Sequence, residues 1–187
     1  MKSTPMIAIV AALALGACAS GTGGHGSTDS GPLLEEVRRA TARFQDVGAA
    51  TAAGYAPFLG CVSGPQEGAM GVHYVNGDLV GDGEIDGARP EALIYEPGRD
   101  GLRLVGVEYI VIAAAWDARH KTPPTLMGQV FHFNTAPNRY GIPAFYALHV
   151  WAWRDNPSGP FADWNPRVSC RDYRAERAPR APAPARG

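Results

Sequence analysis

Ala144-Phe145-Tyr146-Ala147-Leu148-His149-Val150-Trp151-Ala152-Trp153 is the run that decides how the chain reads. Aromatic and β-branched residues dominate it, Pro143 precedes it and Arg154-Asp155 follows, which is the pattern of a bounded strand. Its one ionisable side chain is His149. Three other apolar runs share the design: Met70 to Val75 around His73, Leu102 to Ile112 around Glu108, and Gln129 to Phe133 around His132. Strand alternation places His149 with Phe145, Ala147, Trp151 and Trp153, and His73 with Gly71 and Val75. Glu108 falls with Leu102, Leu104, Gly106, Ile110 and Ile112. Each polar group therefore sits on an otherwise apolar face, where an unpaired charge is costly. It must change protonation, find a counter-charge or bind a metal.

Packing these strands together is expected to gather His73, Glu108, His132 and His149. Three imidazoles and one carboxylate suit a single divalent transition metal, and these four residues are the expected ligands. The chain has no His-x-His pair, so it lacks the compact ligand spacing of cupin-type barrels. A structural or pocket-lining polar network built from the same residues stays open. So does a metal-dependent hydrolase in which Glu108 is general base instead of ligand. Other motifs fail on inspection. Gly81-Asp82-Gly83-Glu84-Ile85-Asp86-Gly87 resembles the start of a calcium loop, but the twelfth position from Asp82 is Leu93, where a bidentate Glu is needed. There is no Gly-x-Ser-x-Gly elbow and no glycine-rich phosphate loop.

Pro32 to Tyr55 reads as one helix, with Val37, Ala40, Phe44, Val47, Thr51 and Tyr55 at helical spacing and Gly54 and Pro57 ending it. Ala92 to Tyr95 and Leu102 to Ile112, separated by turn residues Pro97 to Gly101, read as a β-hairpin. The segments 76–90 and 116–125 and the run Asn156 to Pro166 read as loop. The expected fold is α+β: an N-terminal helix packed on a mainly antiparallel, barrel-like sheet of four to five strands.

The chain has 187 residues, enough for one domain, and a formal net charge of -1, which offers no basic field for nucleic acid. A basic start at Met1-Lys2, an apolar Met6 to Leu15 and Leu15-Gly16-Ala17-Cys18 resemble a bacterial lipoprotein signal. That resemblance implies cleavage after residue 17, lipid on Cys18, and a membrane-anchored cell-envelope protein facing the periplasm. Ala19, in place of an aspartate, is the pattern of outer-membrane sorting. Residues 18–31 read as a flexible tether, 32–173 as the globular domain, and 174–187 as a disordered tail. In an oxidising compartment Cys61 and Cys170 are expected to pair, closing the domain start to its end. The partners expected are the membrane, through the lipid anchor, and a small ligand or envelope protein.

The runs Gly71-Val72-His73-Tyr74-Val75-Asn76, Arg89-Pro90-Glu91-Ala92-Leu93-Ile94-Tyr95-Glu96, Val107-Glu108-Tyr109, Leu148-His149-Val150-Trp151 and Phe161-Ala162-Asp163-Trp164-Asn165-Pro166, with the helix ending in Gly54-Tyr55, together resemble an uncharacterised exported bacterial protein family. The resemblance covers residues 33–172. It implies a single exported domain and carries no activity or site residues.

Overall fold

A computed structural model describes residues 31–174. The signal segment 1–17, Cys18, the tether up to Ser30 and the tail beyond Arg174 lie outside the described residues. Six antiparallel strands form one curled sheet, a half-barrel, in the order β1-β2-β3-β4-β8-β7. They are β1 Ala56–Ser63, β2 Ala69–Val75, β3 Ala92–Gly98, β4 Gly101–Ile112, β7 His132–Asn134 and β8 Phe145–Val150. The short strands β5 Thr125–Leu126 and β6 Gln129–Val130 pair separately. The α+β class holds, with one strand more in the sheet than the upper expectation.

The expected single helix is broken into α1 Gly31–Thr41, a 3-10 turn Ala42–Gln45 and α2 Val47–Ala52. A continuous helix would join the Phe44 carbonyl to the Gly48 N–H. Instead Phe44 O accepts from the Tyr95 hydroxyl at 2.7 Å, and Gly48 N donates to the Asp46 side chain at 2.8 Å. Asp46, in extended geometry, caps α2 and turns the chain. The break lets Leu33, Val37 and Thr41 on α1, Phe44 in the turn and Ala50 on α2 all face the sheet.

These helical residues pack on Val72, Tyr74, Leu93, Tyr95, Leu104, Val107, Tyr109, Leu148 and Val150 to form the main core. The opposite face of the sheet carries two smaller clusters, Ile94-Val105-Trp151 with Ala69 and Val168, and Ala92-Ile110-Phe145-Ala147. Two departures from simple alternation matter. Val105 is an extra residue, a bulge between the pairs Tyr95–Leu104 and Ile94–Gly106, so Leu104 crosses to the helix side while Glu108, Ile110 and Ile112 keep their shared face. Strand β8 ends at Val150, and Trp153 turns to the helix side, donating from Nε1 to Thr41 Oγ1 at 3.0 Å.

Strand β1 replaces what read as helix end and loop, so Cys61 lies inside the first strand instead of before it. Cys61 and Cys170 are disulfide-bonded, with Cα atoms 5.8 Å apart across a separation of 109 residues. Two short helices are added: α3 Gly77–Asp82, within a segment that read as loop, and α4 Ala113–Asp117, which follows β4 and runs into the segment read as loop from Trp116. Asn76 caps α3 by accepting from Asp78 N and Leu79 N. The β3–β4 hairpin is confirmed but is longer than read, with Gly98 facing Gly101 across a two-residue turn. The expected strand through His132 is split at Phe131, which turns inward to the core and donates from N to Pro124 O.

Candidate metal centre

Three neighbouring positions on the face away from α1 and α2 carry the site. Glu108 on β4 is directly opposite His149 on β8 and opposite Ala92 on β3. His73 on β2 lies beyond β3, opposite Ile94. Ala92, the β3 residue opposite Glu108, is small and fully buried. The side chains of His73 and Glu108 meet, His73 Nε2 lying 3.3 Å from Glu108 Oε2. His149 Nε2 approaches the other oxygen, Oε1, at 3.8 Å. The three residues are 7%, 7% and 3% exposed. Each offers a ligand atom within 4.8 Å of the others, so together they can hold a metal ion.

The glycine before His73 is fixed by close approach. Gly71 has φ 105°, and a Cβ there would fall 2.6 Å from the Tyr95 carbonyl oxygen.

Asp163, on the loop after β8, was not singled out from sequence and stands behind the trio. Its Oδ1 lies 3.5 Å from His149 Nδ1 and 3.0 Å from His132 Nδ1. The first separation is outside hydrogen-bond geometry, so both ring nitrogens of His149 are buried without a hydrogen-bond partner. His132, the fourth expected ligand, is exposed on the edge strand β7 and paired with Asp163; it does not belong to the buried group. Its backbone faces Ala147, two residues along β8 from His149, so edge position and register keep it out of the buried group.

Burial, aided by repulsion from His149, pushes the His73 pKa down to about 3 and keeps that imidazole neutral. Burial raises Glu108, with His149 opposing and Asp163 reinforcing the shift. At His149 burial also disfavours charge, but Glu108 and Asp163 outweigh it and the pKa rises. Asp163 is held below the usual carboxylate range, chiefly by His149. A metal entering the cluster competes with any proton its donors hold.

A cavity of about 410 Å³ opens onto His73 and Glu108. Its walls come from β1, β2, β4, α3 and the loop before β8. Tyr140 joins His73 and Glu108 as a polar lining residue, and every other lining side chain is apolar. Tyr140 directs its hydroxyl to the Met70 sulfur at 3.6 Å. Two imidazoles and one carboxylate beside an accessible cavity form the donor set of open zinc and non-haem iron sites. An outer carboxylate on the second nitrogen of a ligating histidine is the usual support for such a set. No protein-family model, no curated protein and no solved structure matches this chain.

Proposed function

We propose that the protein is a lipid-anchored component of the cell envelope that binds one divalent transition metal through His73, Glu108 and His149. The observation that carries the metal reading is the convergence of these buried donors while both nitrogens of His149 lack hydrogen bonds. A polar network kept only for the fold would be expected to satisfy its buried atoms. Neutral imidazole favours zinc, iron, copper or nickel over calcium or magnesium. Asp163 faces His149 Nδ1 from behind at 3.5 Å, and His132 pairs with Asp163. The metal would supply Lewis acidity at the floor of the cavity. The address rests on the signal at residues 1–18, and the Cys61–Cys170 disulfide fits an oxidising compartment.

The core clusters and the disulfide all lie within 31–174, so a chain starting at Ala19 retains the folded unit. That chain, purified without chelator or affinity histidines, is expected to carry about one metal per molecule by mass spectrometry. His149→Gln is expected to lose the metal while the metal-free melting temperature stays within a few degrees. Loss of stability without a change in metal content would assign the cluster to the fold instead.

A further inference from the structure

We infer that the cavity above this centre takes an aliphatic monocarboxylate, its head on the metal side at His73 and Glu108 and its chain along the apolar wall. The inference rests on the metal reading, and the two are separable by experiment. The cavity has a strongly unequal lining. His73, Glu108 and Tyr140 are its polar side chains, while Val80, Ile112, Ile142 and Phe145 are among the apolar ones. A ligand polar throughout would lose its hydration against those walls, and one apolar throughout would leave the cluster without a partner. An amphipathic occupant avoids both costs.

Charge selects the head. A divalent ion on two neutral imidazoles and one carboxylate leaves one positive charge, which a carboxylate balances and a phosphate dianion overshoots. Among the described residues no Lys or Arg lines the cavity to take the surplus. Size selects the chain. A 150 Å³ apolar cavity accommodates benzene, so about 410 Å³ corresponds to roughly ten to fifteen non-hydrogen atoms, allowing for an open mouth.

The rim supplies an independent observation. Phe58 and Leu59, both exposed and apolar, line the cavity on the β1 bulge. Leu59 is 54% exposed and holds φ 59°, the left-handed region that a leucine enters only at a cost. A bound chain would cover both side chains where it leaves the cavity.

The test is calorimetric titration of the zinc-loaded Ala19–Gly187 chain with saturated monocarboxylates from butanoate to dodecanoate, below their micellar concentrations. Affinity is expected to rise about fourfold per methylene and then level off as the cavity fills. The methyl ester and primary amine of equal length should bind at least tenfold more weakly. Leu59→Asn should weaken decanoate binding without lowering the melting temperature, and Val80→Trp should abolish it while zinc stays bound. No binding by any chain, with zinc at one per molecule, overturns the ligand inference and leaves the metal centre standing. Equal affinity for acid and methyl ester also overturns it. Chain-length-dependent binding that keeps its preference for the acid in a protein refusing metal removes the metal reading and, with it, overturns the metal-side placement of the head. Partition of the protein onto phosphatidylcholine vesicles, with no monomeric carboxylate bound, assigns the apolar rim to a lipid surface and overturns the inference.

Discussion

Two groups of buried polar residues, one on each face of the sheet, are held in different ways. On the helix side the tyrosine hydroxyls go to backbone carbonyls: Tyr55 donates to Pro90 O, Tyr95 to Phe44 O and Tyr109 to Gly87 O. The carboxylate there, Glu91, accepts from Ile110 N at 2.9 Å. Tyr74 is the exception, its hydroxyl buried without a partner. On the other face His73, Glu108 and His149 point at one another across a small gap, and His149 faces the carboxylates of Glu108 and Asp163 at 3.8 and 3.5 Å, beyond close hydrogen-bond geometry. Polar groups on the first face fix where helices and loops dock. Those on the second are held apart by strand register at distances suited to an ion, which is why function is assigned there.

The largest expected effect falls on the frame common to both faces. Replacing Cys61 and Cys170 by Ser should cost roughly 4 to 5 kcal/mol, less any strain relieved, as measured by urea denaturation. If the fold survives, metal content should be unchanged, because neither sulfur reaches the cluster.

Glu91 sharpens the contrast through pH. Burial raises its pKa from 4.5 to about 8, against the opposing hydrogen bond from Ile110 N, with Asp82 and Glu108 adding smaller upward pushes. The folded state therefore binds this proton more tightly than the unfolded state. Its contribution is complete below pH 4.5 and is lost as pH rises to about 8. Glu91→Gln keeps an acceptor for Ile110 N and removes the titration. Relative to the native protein it should gain stability between those pH values, by about 2 to 4 kcal/mol at the alkaline end. Parallel stability curves would show that Glu91 is ionised at little cost.

Asp163→Asn tests the second face. It should weaken metal binding about 10- to 100-fold by competition with a chromogenic chelator, with little change in melting temperature. Tyr95→Phe is the mirror experiment and the smallest effect. It should cost about 1 kcal/mol through the lost bond to Phe44 O and leave metal affinity untouched. A drop in affinity in that variant would mean that the two faces are coupled.

Much of this division was legible in the sequence, and its gaps have physical causes. Alternation in β2, β4 and β8 located His73, Glu108 and His149 on apolar faces, because period-2 patterning survives wherever a strand is regular. It failed at the Val105 bulge, where one extra residue carries Leu104 to the other face, and beyond Val150, where Trp153 leaves the strand. The break in the first helix was invisible because its cause, the Tyr95 hydroxyl at Phe44 O, is 51 residues away in sequence. Strand β1 was hidden by Pro57, which read as a helix terminator but belongs to an edge strand that bulges at Leu59 and Gly60. His132 has the right chemistry on the wrong strand, since nothing local marks β7 as an edge. Asp163 had no signal at all: it arrives on a loop fixed by long-range bonds such as Trp151 Nε1 to Ala162 O at 2.6 Å.

The most direct measurement is an anomalous difference map from a crystal of the protein grown with zinc, collected on both sides of the zinc edge. The account predicts one strong peak about 2.0 to 2.2 Å from His73 Nε2, a Glu108 oxygen and His149 Nε2, with Asp163 behind the His149 ring. An empty cluster at saturating zinc, or a peak held only by exposed groups such as His132, would contradict it.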